Sequence, residues 1–131
     1  MTNDNASQPD FAALYAAQAR DAIRMVAREA LAGGADAVAQ AREYAERGKP
    51  DFTLAYLLEC DLPEEEKLTL FAEAFERRAT LTESKAREFD QKFHRPFPLL
   101  TSDAAQDRGR ARQVREGKRM NKGTGKQIPL I

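Results

Sequence analysis

The residues Leu68, Phe71, Phe75, Ala79, Thr82, Ala86, Phe89 and Phe93 follow one another at steps of three or four without a miss. A helix turning every 3.6 residues gathers such positions on one face, whereas a strand with its period of two would scatter them. The stretch therefore predicts helix, and it begins at Asp61-Leu62-Pro63-Glu64. That start combines a capping aspartate, a proline suited to a first turn and a glutamate at the capping-box position. Glu65 and Glu66 add negative charge where the helix dipole favours it. Thr80-Leu81-Thr82-Glu83 is itself a capping-box match, so two readings stand: one helix over 63–93, or two that break near Thr80. The unbroken helix is preferred.

The rest of the chain supplies partners of the same kind. Phe11, Tyr15, Ala19, Ala22, Val26 and Ala30 share one face of a helix expected over 10–32, with Ser7 or Asp10 as cap and Gly33-Gly34 as stop. A second helix is expected over 36–47, with Val38, Ala41 and Ala45 inward, ended by Gly48 before Lys49-Pro50. Asp51 would cap a short third helix holding Phe52, Leu54, Ala55, Tyr56, Leu57 and Leu58. This is the most densely apolar stretch and the expected centre of the fold. A buried strand would fit its periodicity, but no strand partner is evident. His94-Arg95-Pro96-Phe97-Pro98 should end the helical region in extended backbone, with Phe97, Leu99 and Leu100 folding back against the helices.

The fold class that follows is all-α: a small bundle of four or five helices over 10–100 after a flexible N-terminus at 1–9. An extended, mostly disordered basic tail completes the chain over 101–131. A short helix over 102–114, capped by Ser102 or Asp103, is an option within that tail. Much of the apolar content is alanine, with seven Phe, three Tyr and no Trp. Alanine favours helix but buries little area, so the phenylalanines must supply much of the core's bulk.

Charge is distributed unevenly. The 131 residues carry 21 bases and 21 acids, a formal net charge of zero. Eight of the bases (Arg108, Arg110, Arg112, Arg115, Lys118, Arg119, Lys122 and Lys126) fall after Asp107 against one acid, Glu116. The preceding part is left near −7.

No catalytic or metal-binding constellation is evident. Cys60, the single cysteine, lies between Glu59 and Asp61, whose negative field disfavours a thiolate nucleophile. His94 is the lone histidine and reads as a helix C-terminal residue. Structural zinc needs about four Cys or His ligands. Di-iron bundles need Glu-x-x-His, where Gln91 precedes His94 instead. Glu64, Glu65, Glu66, Glu73 and Glu76 read as a helix start and a solvated face. Gly123-Thr124-Gly125-Lys126 fails as a phosphate loop, because Met120 and Gln127 occupy the places that need glycine and Ser or Thr. No cofactor, metal or enzymatic activity is expected. Neither a secretory leader nor an apolar run of membrane-spanning length is apparent, so a cytoplasmic protein without a membrane partner is expected.

The expected function is that of a non-enzymatic small subunit or adaptor of a larger assembly, nucleic-acid-associated, with the basic tail on phosphate backbone. Bases spaced along flexible chain neutralise phosphates in sequence, and the tail has no aromatic residue for base readout, so contact with RNA or DNA would be non-sequence-specific. The alternative is a protein-only adaptor or inhibitor whose tail grips an acidic protein surface; the acidic body itself is one such surface. Phe89, Phe93 and Phe97, with Ile128, Leu130 and Ile131, are candidate protein contacts, for a partner or for a second copy. The ending Gln127-Ile128-Pro129-Leu130-Ile131 resembles the Gln-Leu-x-Leu-Phe peptide of bacterial sliding-clamp partners at Gln127 and Leu130. It departs from that peptide at Pro129 and at Ile131, where the aromatic would stand.

Overall fold

The computed structural model describes residues 10–117. Six α-helices follow in order: α1 (Phe11–Tyr15), α2 (Asp21–Ala32), α3 (Ala37–Glu46), α4 (Pro50–Leu57), α5 (Glu64–Phe93) and α6 (Pro98–Arg115), with a short 3₁₀ turn over Ala16–Gln18. Among the described residues there is no strand.

α5 is one helix of 30 residues, so the capping-box match at Thr80 does not break it. At about 1.5 Å per residue it spans about 45 Å. Its N-cap position is Pro63, without a side-chain cap, and Asp61 lies before the helix rather than capping it. The Glu64 carboxylate instead accepts a hydrogen bond from the backbone N–H of Phe11, tying the start of α5 to the start of α1. At the far end His94 adopts a left-handed conformation (φ 58°) and its N–H closes on the carbonyl of Asp90 at 2.7 Å.

α4 is the centre expected of it. Pro50, Thr53, Leu54, Ala55, Tyr56 and Leu57 are all buried, as suits a helix apolar on every side. It starts at Pro50 in the first helical position, so Asp51 sits in the first turn and is not the cap. α4 packs on α2, α3 and α5. An aromatic column fills the space beside it. Phe11 and Tyr15 lie 5.1 Å apart, Tyr15 meets Phe71 edge-on at 5.2 Å, and Phe75 continues the column 5.1 Å beyond. Large rings at these spacings supply the bulk that buried alanines such as Ala27, Ala41, Ala45, Ala72, Ala74 and Ala79 cannot.

The expected first helix is divided. After Tyr15 the chain tightens into the 3₁₀ turn, then runs extended through Ala19 and Arg20 before α2 begins at Asp21. Helical phase is lost across that break, so the face read from Phe11 does not continue. Ala27 is buried and Ile23, Ala30 and Leu31 pack on the core, while Val26 and Met25 are 55% and 61% exposed and Ala22 is exposed. Packing of α2 against α4 has overridden local periodicity.

α6 also departs from expectation. It begins at Pro98, in the first helical position, rather than near Ser102, and it runs through residue 101, where the sequence divides body from tail. The link from α5, residues 94–97, is short enough that the two helices must run antiparallel, and α6 packs chiefly along α5. Leu100, Ala104, Asp107, Ala111 and Val114 alternate steps of four and three toward α5. Phe75, Ala79, Thr82, Ala86, Phe89 and Phe93 do the same on the facing helix, the pattern of a two-stranded coiled coil. Ala104, Asp107, Ala111 and Val114 are buried. Of the residues expected to fold back, Phe97 and Leu100 are half-buried, but Leu99 stands 79% exposed.

Gly48 lets α3 and α4 approach this hairpin. It is buried with φ 69°, and a Cβ there would lie 3.0 Å from the backbone nitrogen of Arg78. Beyond Ala79 no residue of α5 is buried. From there to Phe93 the helix advances about 21 Å.

Candidate nucleic-acid interface

The eight C-terminal bases divide between the described helix and the chain after it. Arg108, Arg110, Arg112 and Arg115 lie on α6. Lys118, Arg119, Lys122 and Lys126, with Ile128, Leu130, Ile131 and the whole clamp-like ending, lie outside the described residues.

Three of the four helical arginines are engaged by carboxylates. Arg108 reaches Glu83 with Nε at 3.0 Å and Nη2 at 2.6 Å, and Nη2 also donates to the Thr80 hydroxyl at 3.4 Å. Arg115 forms the same two-point clamp on Glu76, at 3.0 and 2.7 Å. Arg110 lies 3.5 Å from Asp107. The clamps repeat because Glu76 and Glu83 are seven residues apart on α5 and Arg108 and Arg115 are seven apart on α6, so antiparallel pairing matches each acid to a base. Hydrogen bonding from Arg115 holds the Glu76 carboxyl below its ordinary value of 4.5, and Arg108 does the same to Glu83. The acids in turn raise the two guanidiniums. Arg112 faces solvent, with no ion pair among the described residues.

Asp107 is the deepest charge in this region. Its carboxylate is 6% exposed and takes two hydrogen bonds from Arg78, whose guanidinium also lies 5.5 Å from the centre of the Phe75 ring. The charge count that divides the sequence at Asp107 missed this anchor. The spacing Ala104, Asp107, Ala111, Val114 carried the signal, but weakly, since alanine contributes little hydropathy contrast.

The aromatic candidates do come together. Phe89, Phe93 and Phe97 form a triangle of ring centroids 5.3 to 5.9 Å apart at the end of the hairpin. Phe93 is 51% exposed and the other two are half-buried. Lys92 Nζ lies 5.6 Å from the Phe93 centroid and Arg95 Cζ 5.3 Å from that of Phe97.

Elsewhere there is little chemistry to assemble. Cys60 is partly buried and its thiol donates to the carbonyl of Leu57 at 3.5 Å; it is remote in sequence from His94, the exposed cap of α5. Among the described residues no group of three or more His, Cys, Asp or Glu could hold a metal ion. No described helix is long and apolar enough to cross a membrane. Between α3 and α5 runs an open groove lined by Ala45, Glu46, Arg47, Glu73, Glu76, Arg77 and Thr80, whose charges are mixed. Comparison with protein-family models, curated proteins and solved structures finds no match to the chain.

Proposed function

We propose that the protein is a non-enzymatic helical adaptor of a nucleic-acid-containing assembly, holding phosphate through the basic end of the chain. The observation that supports this reading is the charge left over after the helices have paired. Arg108, Arg110 and Arg115 are taken up by Glu83, Asp107 and Glu76. Arg112 on the exposed side of α6 and the four bases from Lys118 to Lys126 are the remainder, a run with Glu116 as its single acid. Such a run neutralises successive phosphates and releases their counterions.

A gel-shift titration of labelled single-stranded RNA and DNA against the full chain and a chain ending at Gly117 tests the reading. That end point keeps Ala111 and Val114 in the core, which a cut at Asp107 would remove. The full chain should shift the probes with steep salt dependence and the shorter chain should not. Equal binding by both, or none at low salt, contradicts the proposal.

The second reading, an adaptor or inhibitor acting on an acidic protein surface, draws on the clamps themselves, since Arg108 and Arg115 each already grip one carboxylate through two hydrogen bonds. It predicts indifference to RNA and DNA, and salt-sensitive binding to an acidic polypeptide such as polyglutamate.

A further inference from the structure

We infer that the tip of the α5–α6 hairpin is a second contact for single-stranded nucleic acid, a stacking platform of rings flanked by cations. The inference rests on the nucleic-acid reading above and adds a site that the charge distribution did not reveal. From Gln91 to Ser102 the chain contains no acid, while Lys92 and Arg95 flank exposed and half-exposed rings. Asp90 and Asp103 are the nearest acids in sequence on either side. Phe93, 51% exposed, and Leu99, 79% exposed, stand outermost, where the helices run beyond the packed body.

Aromatic rings beside cations suit an unpaired strand: bases stack on rings and the neighbouring cations meet phosphate, with no need of a groove. A duplex, whose bases are already stacked, cannot use the rings in this way.

The chain has no tryptophan, so Phe93→Trp places a single indole at the tip of the full-length protein. Titration with oligo(dT) or oligo(U) of about 16 nucleotides should quench that indole, and a duplex of the same length should not. In anisotropy titrations Phe93→Ala and the double variant Lys92→Gln/Arg95→Gln, both surface changes, should each weaken binding of the single strand by about 5-fold or more, and Phe93→Ala should leave binding of the duplex unaffected. If neither variant changes the affinity and the indole is silent, while the chain ending at Gly117 loses binding, the tip proposal fails and the adaptor reading stands. If the wild type binds no oligonucleotide at low salt, both fail. Tip-dependent binding to phosphatidylserine vesicles in place of oligonucleotides would overturn the inference in favour of a lipid surface.

Discussion

Arg78 and Asp107 meet in a two-point ion pair, Nε to Oδ2 at 2.8 Å and Nη2 to Oδ1 at 2.9 Å, in the seam where α6 lies on α5. A carboxylate at a core position of a helical pair is costly to bury unless it finds a partner. It also selects a register, because sliding α6 by one turn would strand both charges. Thus the residue at which the sequence's charge balance changes sign is the one that fastens the last helix to the body.

Removing one partner should be worse than removing both. Asp107→Ala strands Arg78 and should cost about 2–3 kcal/mol, toward the lower end for a buried pair because Arg78 keeps access to solvent. Arg78→Met combined with Asp107→Leu should recover most of that loss. Urea unfolding followed by circular dichroism measures both; a single variant within about 0.5 kcal/mol of wild type would refute the anchoring role.

Two glycines should respond in opposite directions. Gly109 lies inside α6 and a Cβ there meets nothing within 4 Å, so Gly109→Ala should stabilise by about 0.5–1 kcal/mol. Gly48→Ala faces both a left-handed backbone and the α5 main chain at 3.0 Å, and should destabilise by about 1–3 kcal/mol. Thermal melts of the two variants should bracket that of the wild type.

Acid should weaken the hairpin through its clamps. Glu76 and Glu83 ionise more readily folded than unfolded, so they stabilise the protein above the ordinary carboxylate value of 4.5. That stability is lost as pH falls from 4.5 through their lower folded values. Arg115→Gln and Arg108→Gln should therefore reduce stability at pH 7 and flatten its acid dependence, measured as the urea midpoint between about pH 6 and 2.

Alkali should act through Tyr15. Burial pushes its hydroxyl up to about 12 from 10.0. Between those values the unfolded chain gives up the proton that the folded chain retains, so stability falls as pH rises through this window. Tyr15→Phe should flatten the alkaline limb of the stability profile; an unchanged limb would assign it to other groups.

The long helix was legible because Phe71, Phe75, Phe89 and Phe93 are bulky enough to mark a face, and α4 because its apolar run has no polar side. The break after Tyr15 was not, since Ala19 and Ala22 fit a helical stripe as readily as a turn or a solvated face. α6 was visible in part, at 102–114, but its start at Pro98 was hidden by the expectation that paired prolines keep the backbone extended. Within the candidate interface the bases were plain in the composition, yet their pairing was not. That required knowing that α6 runs antiparallel to α5, which sets Arg108 opposite Glu83 and Arg115 opposite Glu76. The Phe89, Phe93 and Phe97 cluster was readable as an exposed stripe, whereas its cationic partners Lys92 and Arg95 emerged only from the turn geometry.

The most direct measurement is the salt dependence of oligo(dT) affinity for the wild type and for a full-length variant with Lys118, Arg119, Lys122 and Lys126 all changed to Gln. If these four bases neutralise phosphate, their removal should lower the slope of log K against log salt by about 3 and weaken binding at every salt concentration. Identical slopes and affinities for the two proteins would contradict the account.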